Sequence, residues 1–252
     1  RTRPLLPAPL AEPLRDLITS LGARPRRHIH DLCLGDHTAV LDPPQLFPTR
    51  RLPAKTLQTG PIFPTLAVGE PVWWRELDPD RPVVYLTFGS TGEGGVMRQV
   101  LQALVAQRLQ VVVSTGGLMK GDLPHGVFGA RFLDGDRILS RADLVVSHGG
   151  TLTVYHALAH GTPVLSLPSH VEQGLTAVAA VQAGVGRSLP KGVLGTAPER
   201  FVREVKRCLG DPALTERAQA LQPAFDSTRA TQAVVLGLRG WLRAPRPTGR
   251  PP

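Results

Sequence analysis

The run His148-Gly149-Gly150-Thr151-Leu152-Thr153 carries the residue types that could do chemistry in this chain. An imidazole, two glycines and two hydroxyls in succession suit an anion. Glycines let a phosphate come close to the backbone. A helix starting at Thr151 would present unpaired N–H groups and partial positive charge to the same anion. His148 can add a hydrogen bond or a charge. A second polar pair, Glu172-Gln173, follows Pro168. Plainer readings use the same geometry: Gly149-Gly150 as a tight turn, Thr153 as a helix cap, Glu172 as a first-turn acid favoured by the helix dipole.

Two strands must position these groups. Leu144–Ser147 is a short apolar run of the kind a buried parallel strand makes, and Pro163–Leu167 is another. Ligands of open parallel sheets bind outside the carboxyl ends of the strands, so both polar clusters lie on the ligand side. The pattern around them is regular from residue 81 onward. Strands are expected at Val83–Phe88, Val111–Ser114, Val127–Phe132 and Arg187–Leu189. Helices are expected at Val96–Gln107, from about 173 to 183, at Pro198–Leu209, after Asp211-Pro212 and at Thr228–Arg243, with a helical turn at Asp136–Ala142. Pro198 at the first helical position and Gly210 after the last bracket one helix cleanly. Alternating strands and helices predict an α/β fold, a Rossmann-like parallel sheet with helices on both faces.

Residues 1–60 have another texture. Leu10, Leu14, Leu17, Ile18 and Leu21 have helical spacing, and Thr38–Leu41 suits a short strand. Residues 43–80 carry many prolines and no sustained period, which reads as a connector too long for a loop inside one domain. Trp73-Trp74 within it suit packing better than a ligand platform. The expected division is therefore 1–62 as the end of a first α/β domain, 63–80 as linker, 81–243 as the main domain and 244–252 as a disordered tail.

Composition narrows the function classes. The chain has 252 residues and a formal net charge of +9, yet aromatics make up only 5%. The charge is concentrated near the ends: residues 81–190 hold eight Lys or Arg against six acids. No basic stripe interleaves with aromatics, which argues against nucleic acid as a partner. No apolar run reaches the ~18–20 residues a membrane span needs. Cys33 and Cys208 are far apart and outside any CxxC pattern, so free thiols, a reducing compartment and a cytoplasmic location are expected. His156 and His160 are spaced i, i+4, a metal-ligand spacing, but no carboxylate accompanies them on that helix, and no metal is expected. Asp134-Gly135-Asp136 reads as a polar turn that starts a helix.

With these residues laid out, the chain resembles the C-terminal half of a GT-B glycosyltransferase of the family 1 type, the group of macrolide, natural-product and UDP-sugar transferases. The match is His148-Gly149-Gly150-x-x-Thr153, then Gly161-Thr162-Pro163, then Pro168-x-x-x-Glu172-Gln173, with Ala183-Gly184-x-Gly186 after it. Gly89-Ser90 resembles the family's other donor-side loop. The resemblance implies that the chain is the nucleotide-sugar donor-binding half, preceded by a remnant of the acceptor domain.

It also implies roles. His148 would bond the diphosphate and stabilise the leaving group. Ser90, Thr91, Gly149, Gly150, Thr151, Leu152 and Thr153 would surround the nucleotide phosphates, and Phe132 and Leu133 the base. Glu172 and Gln173 would grip the donor sugar. The co-substrate would be a UDP- or dTDP-linked sugar, used without cofactor or metal, and the acceptor a small molecule or lipid. Three positions depart from the usual pattern: Leu152 stands where many members have Gly or Asn, His156 where many have a ribose-binding Glu, and Asp134-Gly135 where Pro-Gln is common. Inverting transfer needs a base, an aligned acceptor and a stabilised leaving group. The base in the resembled enzymes is a histidine of the N-terminal domain, and His28, His30 and His37 do not align with it. A second chain supplying the acceptor domain is therefore among the expected partners. The alternative is a non-catalytic nucleotide-binding or regulatory subunit of a split glycosyltransferase.

Overall fold

The computed structural model describes residues 12–22, 35, 37–53, 55–64, 68–90, 92–119 and 121–243. Thr91, Cys33, His28, His30 and the expected tail at 244–252 lie outside the described residues. A six-stranded parallel sheet holds the centre: β3 (Val83–Thr87), β4 (Gln110–Ser114), β5 (Val127–Ala130), β6 (Leu144–Ser147), β7 (Val164–Ser166) and β8 (Gly186–Ser188). Their spatial order is β5-β4-β3-β6-β7-β8. Counted within this sheet, that is the doubly wound order 3-2-1-4-5-6, which reverses between β3 and β6.

The sequences Val-Val-Tyr-Leu-Thr, Gln-Val-Val-Val-Ser and Leu-Val-Val-Ser are buried at every position, as a sheet covered on both faces requires. Alternate residues feed two cores. Val84, Leu86, Val111, Val113, Leu144 and Val146 pack under α2 (Gly94–Ala106), α6 (Val193–Thr196) and α7 (Pro198–Leu209). Val83, Tyr85, Val112 and Val145 pack under α3 (Gly135–Leu139), α4 (Thr151–Ala159) and α5 (Val171–Gln182). Fully burying one such aliphatic side chain contributes roughly 1.5–3 kcal/mol. Two further helices, α8 (Pro212–Leu221) and α9 (Ser227–Arg243), complete the main unit. The Asp211 side chain caps α8, and Pro212 occupies its first turn.

Two expectations need correction. The strand expected to reach Phe132 ends at Ala130. Beyond it the Arg131 carbonyl bonds Gly116 N–H, and Phe132 is half exposed above the sheet. The connector, expected to hold no strand, contains β2 (Thr56–Gln58), which pairs in parallel with β1 (Thr38–Val40). Three half-buried residues are too few to show a period of two, so the pattern was silent there. The Gln58 amide donates to the carbonyls of Asp42 and Phe47 and so stitches the loop between the two strands.

The connector is also fastened to the main unit. Leu46 and Leu77 are buried in the second core, and Trp73 packs on Phe128 with centroids 5.5 Å apart. Phe63 N–H donates to Ser227 Oγ at 3.0 Å. The Tyr155 hydroxyl of α4 donates to Asp42 Oδ1 at 2.5 Å. Helix α9 runs back to the small sheet, where Trp241 stacks on His37. The expected first helix is present as α1 (Glu12–Ser20).

Candidate functional site

Strand β3 exits at Phe88-Gly89-Ser90 and strand β6 at His148-Gly149-Gly150, so the two loops flank the reversal point of the sheet. That is where a parallel sheet opens a crevice for a ligand. Gly149 has φ of +83°, a conformation glycine adopts without cost, and its N–H is held by Ser147 Oγ at 3.0 Å. Gly150 then starts α4.

His148 is buried, 5% exposed, and rests on Phe88 with ring centroids 5.9 Å apart. Its Nδ1 is buried without a hydrogen-bond partner. An orphaned acceptor is cheaper than an orphaned donor, which assigns the proton to Nε2. The Nε2 edge lies against the two glycines of the crevice: a Cβ on Gly150 would stand 2.7 Å from Nε2, and one on Gly89 3.4 Å from Cε1. Burial pushes the His148 pKa below its ordinary value, with Glu172 opposing. Burial thus favours the neutral ring, with its Nε2 edge on the side of the two loops.

Thr151 begins α4, and its N–H donates to Glu172 Oε1 at 3.1 Å. The Thr151 hydroxyl bonds the same carboxylate oxygen and lies 3.0 Å from the Thr176 hydroxyl. Glu172 thus places an anion at the start of α4, the position that orphan N–H groups and the helix dipole favour. Gln173 is 3% exposed, and its Oε1 accepts from Ser169 N–H at 2.9 Å. It braces the loop after β7, while its carbonyl backs onto Gly149. Ser90 is exposed on the opposite loop.

On the β4–β5 side a cavity of about 160 Å³ is lined by Tyr85, Ser114, Phe132, Leu133, Leu152 and His156, among others. A second hollow of about 130 Å³ shares Tyr85, Leu152 and His156 and adds Thr87 and Thr153. Phe132 and Leu133 thus share a cavity with Leu152 and His156 of α4. Leu133 is buried, while Phe132 and Leu152 are each 51% exposed and flank the opening. A larger hollow, about 690 Å³, lies at the β8 edge between α5, α7 and α8. Its lining includes the turn at Gly184 and Gly186, but it lies at the edge of the sheet and not at the reversal point where open parallel sheets bind ligands, so the crevice there remains the candidate site.

Tyr85, Ser114 and Phe63 went unnoticed in the sequence. Tyr85 is hidden inside an apolar strand run; burial raises its pKa, with hydrogen bonds to Ser114 and Thr87 opposing. Phe63 sits in a connector with no period, yet stacks on His156 at 4.9 Å. His156 and His160 do find a carboxylate, but from another helix. Asp136 Oδ1 of α3 lies 2.7 Å from His156 Nε2 and 2.9 Å from His160 Nε2. Those two hydrogen bonds hold the Asp136 carboxyl below its ordinary range. Asp134 caps α3 through Asp136 N–H, as the polar-turn reading expects.

Residues 98–238 match the family described as erythromycin biosynthesis protein CIII-like, C-terminal domain. The chain belongs to that family. The resemblance seen in its glycine turn and Glu-Gln pair is thereby upheld, and the sheet order agrees with the C-terminal half of a GT-B glycosyltransferase. A PGL/p-HBAD biosynthesis rhamnosyltransferase of Mycobacterium bovis is 38% identical over 235 residues, 90% of this chain and 51% of its own length. A PGL/p-HBAD biosynthesis glycosyltransferase of Mycobacterium tuberculosis is 36% identical over 200 residues, 77% of this chain and 46% of its own. The chain spans about half the length of these curated relatives. Among solved structures, the calicheamicin glycosyltransferase CalG4 shares the fold with a TM-score of 0.70 at 23% identity, over 92% of this chain and 60% of that one. The spinosyn rhamnosyltransferase SpnG, complexed with thymidine diphosphate, does so with a TM-score of 0.67 at 19% identity, over 81% of this chain and 57% of that one.

Proposed function

We propose that this chain is the donor-binding half of an inverting glycosyltransferase that moves a hexose from a nucleotide-diphosphate sugar to an acceptor hydroxyl. The observation that carries the proposal is the position of His148. Its Nε2 edge lies between Gly89 and Gly150 at the reversal point of the sheet, beside the start of α4. As the glycosidic bond breaks, negative charge grows on the leaving diphosphate. A preorganised Nε2–H donor stabilises that charge, and the dipole at the start of α4 adds to it although the Thr151 N–H is held by Glu172. The phosphate charge is met by the protein's own dipoles, so the chemistry does not call for a catalytic metal.

The base would occupy the small cavities bounded by Phe132, Leu133, Leu152 and Tyr85. Ser90 and Thr153 would add hydroxyls around the phosphates. Glu172 and Gln173 would hold the sugar, Glu172 through its carboxylate and Gln173 by fixing the loop that carries it. The relative named a rhamnosyltransferase and the neighbour complexed with thymidine diphosphate make dTDP-linked 6-deoxyhexoses the first donors to test, with UDP-sugars as the comparison. Residues 1–62 belong, in this reading, with the acceptor half. The general base and the small-molecule or lipid acceptor are left to the length of the relatives that this chain does not span, or to a second chain. No described helix is long and apolar enough to cross a membrane, and a cytoplasmic location is part of the proposal.

The test is calorimetry with TDP, UDP and their sugar conjugates. Binding of a nucleotide diphosphate is expected, and a folded chain that binds none refutes the proposal. Glu172→Ala separates the sugar role from the phosphate role. It releases the Thr151 N–H, so bare TDP should bind as well as before or better, while the sugar nucleotide loses affinity. Equal losses for both ligands would remove Glu172 from the sugar site.

A further inference from the structure

Among the described residues, one cluster of metal-ligating side chains stands at the wall of the proposed base pocket and extends beyond it. His156 and His160 share a face of α4 at i, i+4, and Asp136 reaches them from α3. Their ligand atoms lie within 4.8 Å of one another. Both imidazoles present Nε2 to the same point, the Asp136 Oδ1.

The arrangement is held from outside the cluster. The His156 ring lies close against Gly135, where a Cβ would stand 2.5 Å from Cε1 and 2.8 Å from Nδ1. Phe63 stacks on His156 at 4.9 Å with an interplanar angle of 19°. One face of the ring thus has an aromatic partner, and only glycine at position 135 leaves room for it. Asp134 fixes the start of α3 by accepting from Asp136 N–H at 3.1 Å. These supports orient the donors before any ion arrives, as the partners around a metal site must.

We propose that Asp136, His156 and His160 form a binding site for a divalent transition-metal cation, with Zn²⁺ the first candidate. Two imidazoles and one carboxylate suit Zn²⁺, and also Co²⁺ or Ni²⁺, better than Mg²⁺ or Ca²⁺. With metal–ligand bonds of about 2.0–2.2 Å, a tetrahedral ion needs its ligand atoms roughly 3.3 Å apart. The present contacts of 2.7 and 2.9 Å must open by about half an ångström, within the reach of side-chain torsions. Each ring then binds the ion through an unprotonated Nε2 as a neutral imidazole, with its one proton on Nδ1. Three protein ligands leave a fourth position for water.

The ion would tie α3 to α4. Asp136 and His156 also line the cavity of about 160 Å³, so the clamp would stiffen one wall of the base-side pocket. His156 lies about 7.5 Å along the helix axis from Thr151, past the phosphate end. The role is therefore structural or regulatory, not a Lewis acid on the diphosphate. The inference does not depend on the proposed activity, because metal binding is measured with no nucleotide present.

The experiment titrates Zn²⁺ into the tag-free chain by calorimetry and follows Co²⁺ substitution by its visible d–d absorption. One tight equivalent and a tetrahedral Co²⁺ spectrum are expected, with a higher Tm in Zn²⁺ than in EDTA. His160→Gln lies outside the lined cavities and should weaken Zn²⁺ by roughly tenfold or more while leaving TDP binding intact. Asp136→Asn should weaken Zn²⁺ binding too, and because Asp136 lines the proposed base pocket only His160→Gln serves as the TDP control. If either substitution compromises folding, the Co²⁺ spectrum of the wild type still decides, because two imidazoles and a carboxylate give no thiolate charge-transfer band. The proposal is overturned if the wild type binds no Zn²⁺, if both variants bind it as the wild type does, or if the Co²⁺ spectrum shows thiolate ligation.

Discussion

Gly150→Ala is the sharpest perturbation of the candidate site. Gly150 has φ of −60° and ψ of 137°, which any residue adopts, so the backbone does not resist the change. The added Cβ would stand 2.7 Å from His148 Nε2 and 3.0 Å from Cε1, closer than such contacts allow. The ring is 5% exposed and rests on Phe88, so it can yield only by tilting out of its seat. Overpacking of this kind costs about 1–3 kcal/mol, and each kcal/mol lowers the Tm of a chain this size by roughly 2–4 °C. The loss in binding should be comparable. A hydrogen bond to a charged group contributes about 1.5–3 kcal/mol, so a displaced Nε2 should raise the TDP dissociation constant roughly 10- to 150-fold. Gly149→Ala is the control. There φ is +83°, and a Cβ would also meet the Gln173 carbonyl at 3.1 Å, so stability falls further through backbone strain of about 1–2 kcal/mol. Calorimetry with TDP and UDP, paired with thermal melts, reads both quantities. If Gly150→Ala binds TDP with wild-type affinity, His148 does not touch the diphosphate and the leaving-group argument fails.

Two further predictions test the electrostatics and the packing. The pKa of His148 is lowered by burial, so its neutral form contributes stability that is fully present above the unfolded value of about 6.5 and is lost as pH falls through the lowered folded one. A bound diphosphate should raise that pKa again. TDP binding should then take up protons and tighten as pH falls through the bound-state pKa toward the lower free-state one, as calorimetry in two buffers of different ionisation enthalpy will show, and His148→Gln should abolish the uptake. Tyr155→Phe removes the 2.5 Å bond to Asp42 that fastens the connector to α4. A loss of about 1–2 kcal/mol and a Tm lower by a few degrees are expected in a thermal melt, with TDP affinity unchanged.

The main sheet was legible because buried parallel strands leave continuous apolar runs. Val83–Thr87, Gln110–Ser114 and Leu144–Ser147 are buried at every position, and a polar or glycine residue stands within two positions of each end, so their ends show to within a residue. β2 could not be read in the same way. Thr56–Gln58 has three half-buried residues, and its pairing with β1 is set by contacts with chain distant in sequence. Phe63 and Trp73 follow the same rule, since each acquires meaning only from the surface it covers, His156 in one case and Phe128 in the other.

The site divides along a similar line. In the proposed reading the phosphates meet consecutive backbone groups, and the residues concerned, His148, Gly149, Gly150 and Thr151, are adjacent in sequence and so visible together. Glu172 was visible as a residue type, but its bond to Thr151 was not, because it crosses from α5 to α4. Sequence spacing could count only the acids on the helix of His156 and His160, and it found none there. The carboxylate that meets them comes from Asp136, whose nearest sequence signal was the turn at Asp134-Gly135. A local motif reports what one helix can do alone; the pairing of α3 with α4 supplies the third ligand. Gly135 links the two descriptions. Its missing side chain is what lets the His156 ring lie against α3, so Gly135→Ala would separate the two helices' ligands while leaving the glycine turn at His148 intact.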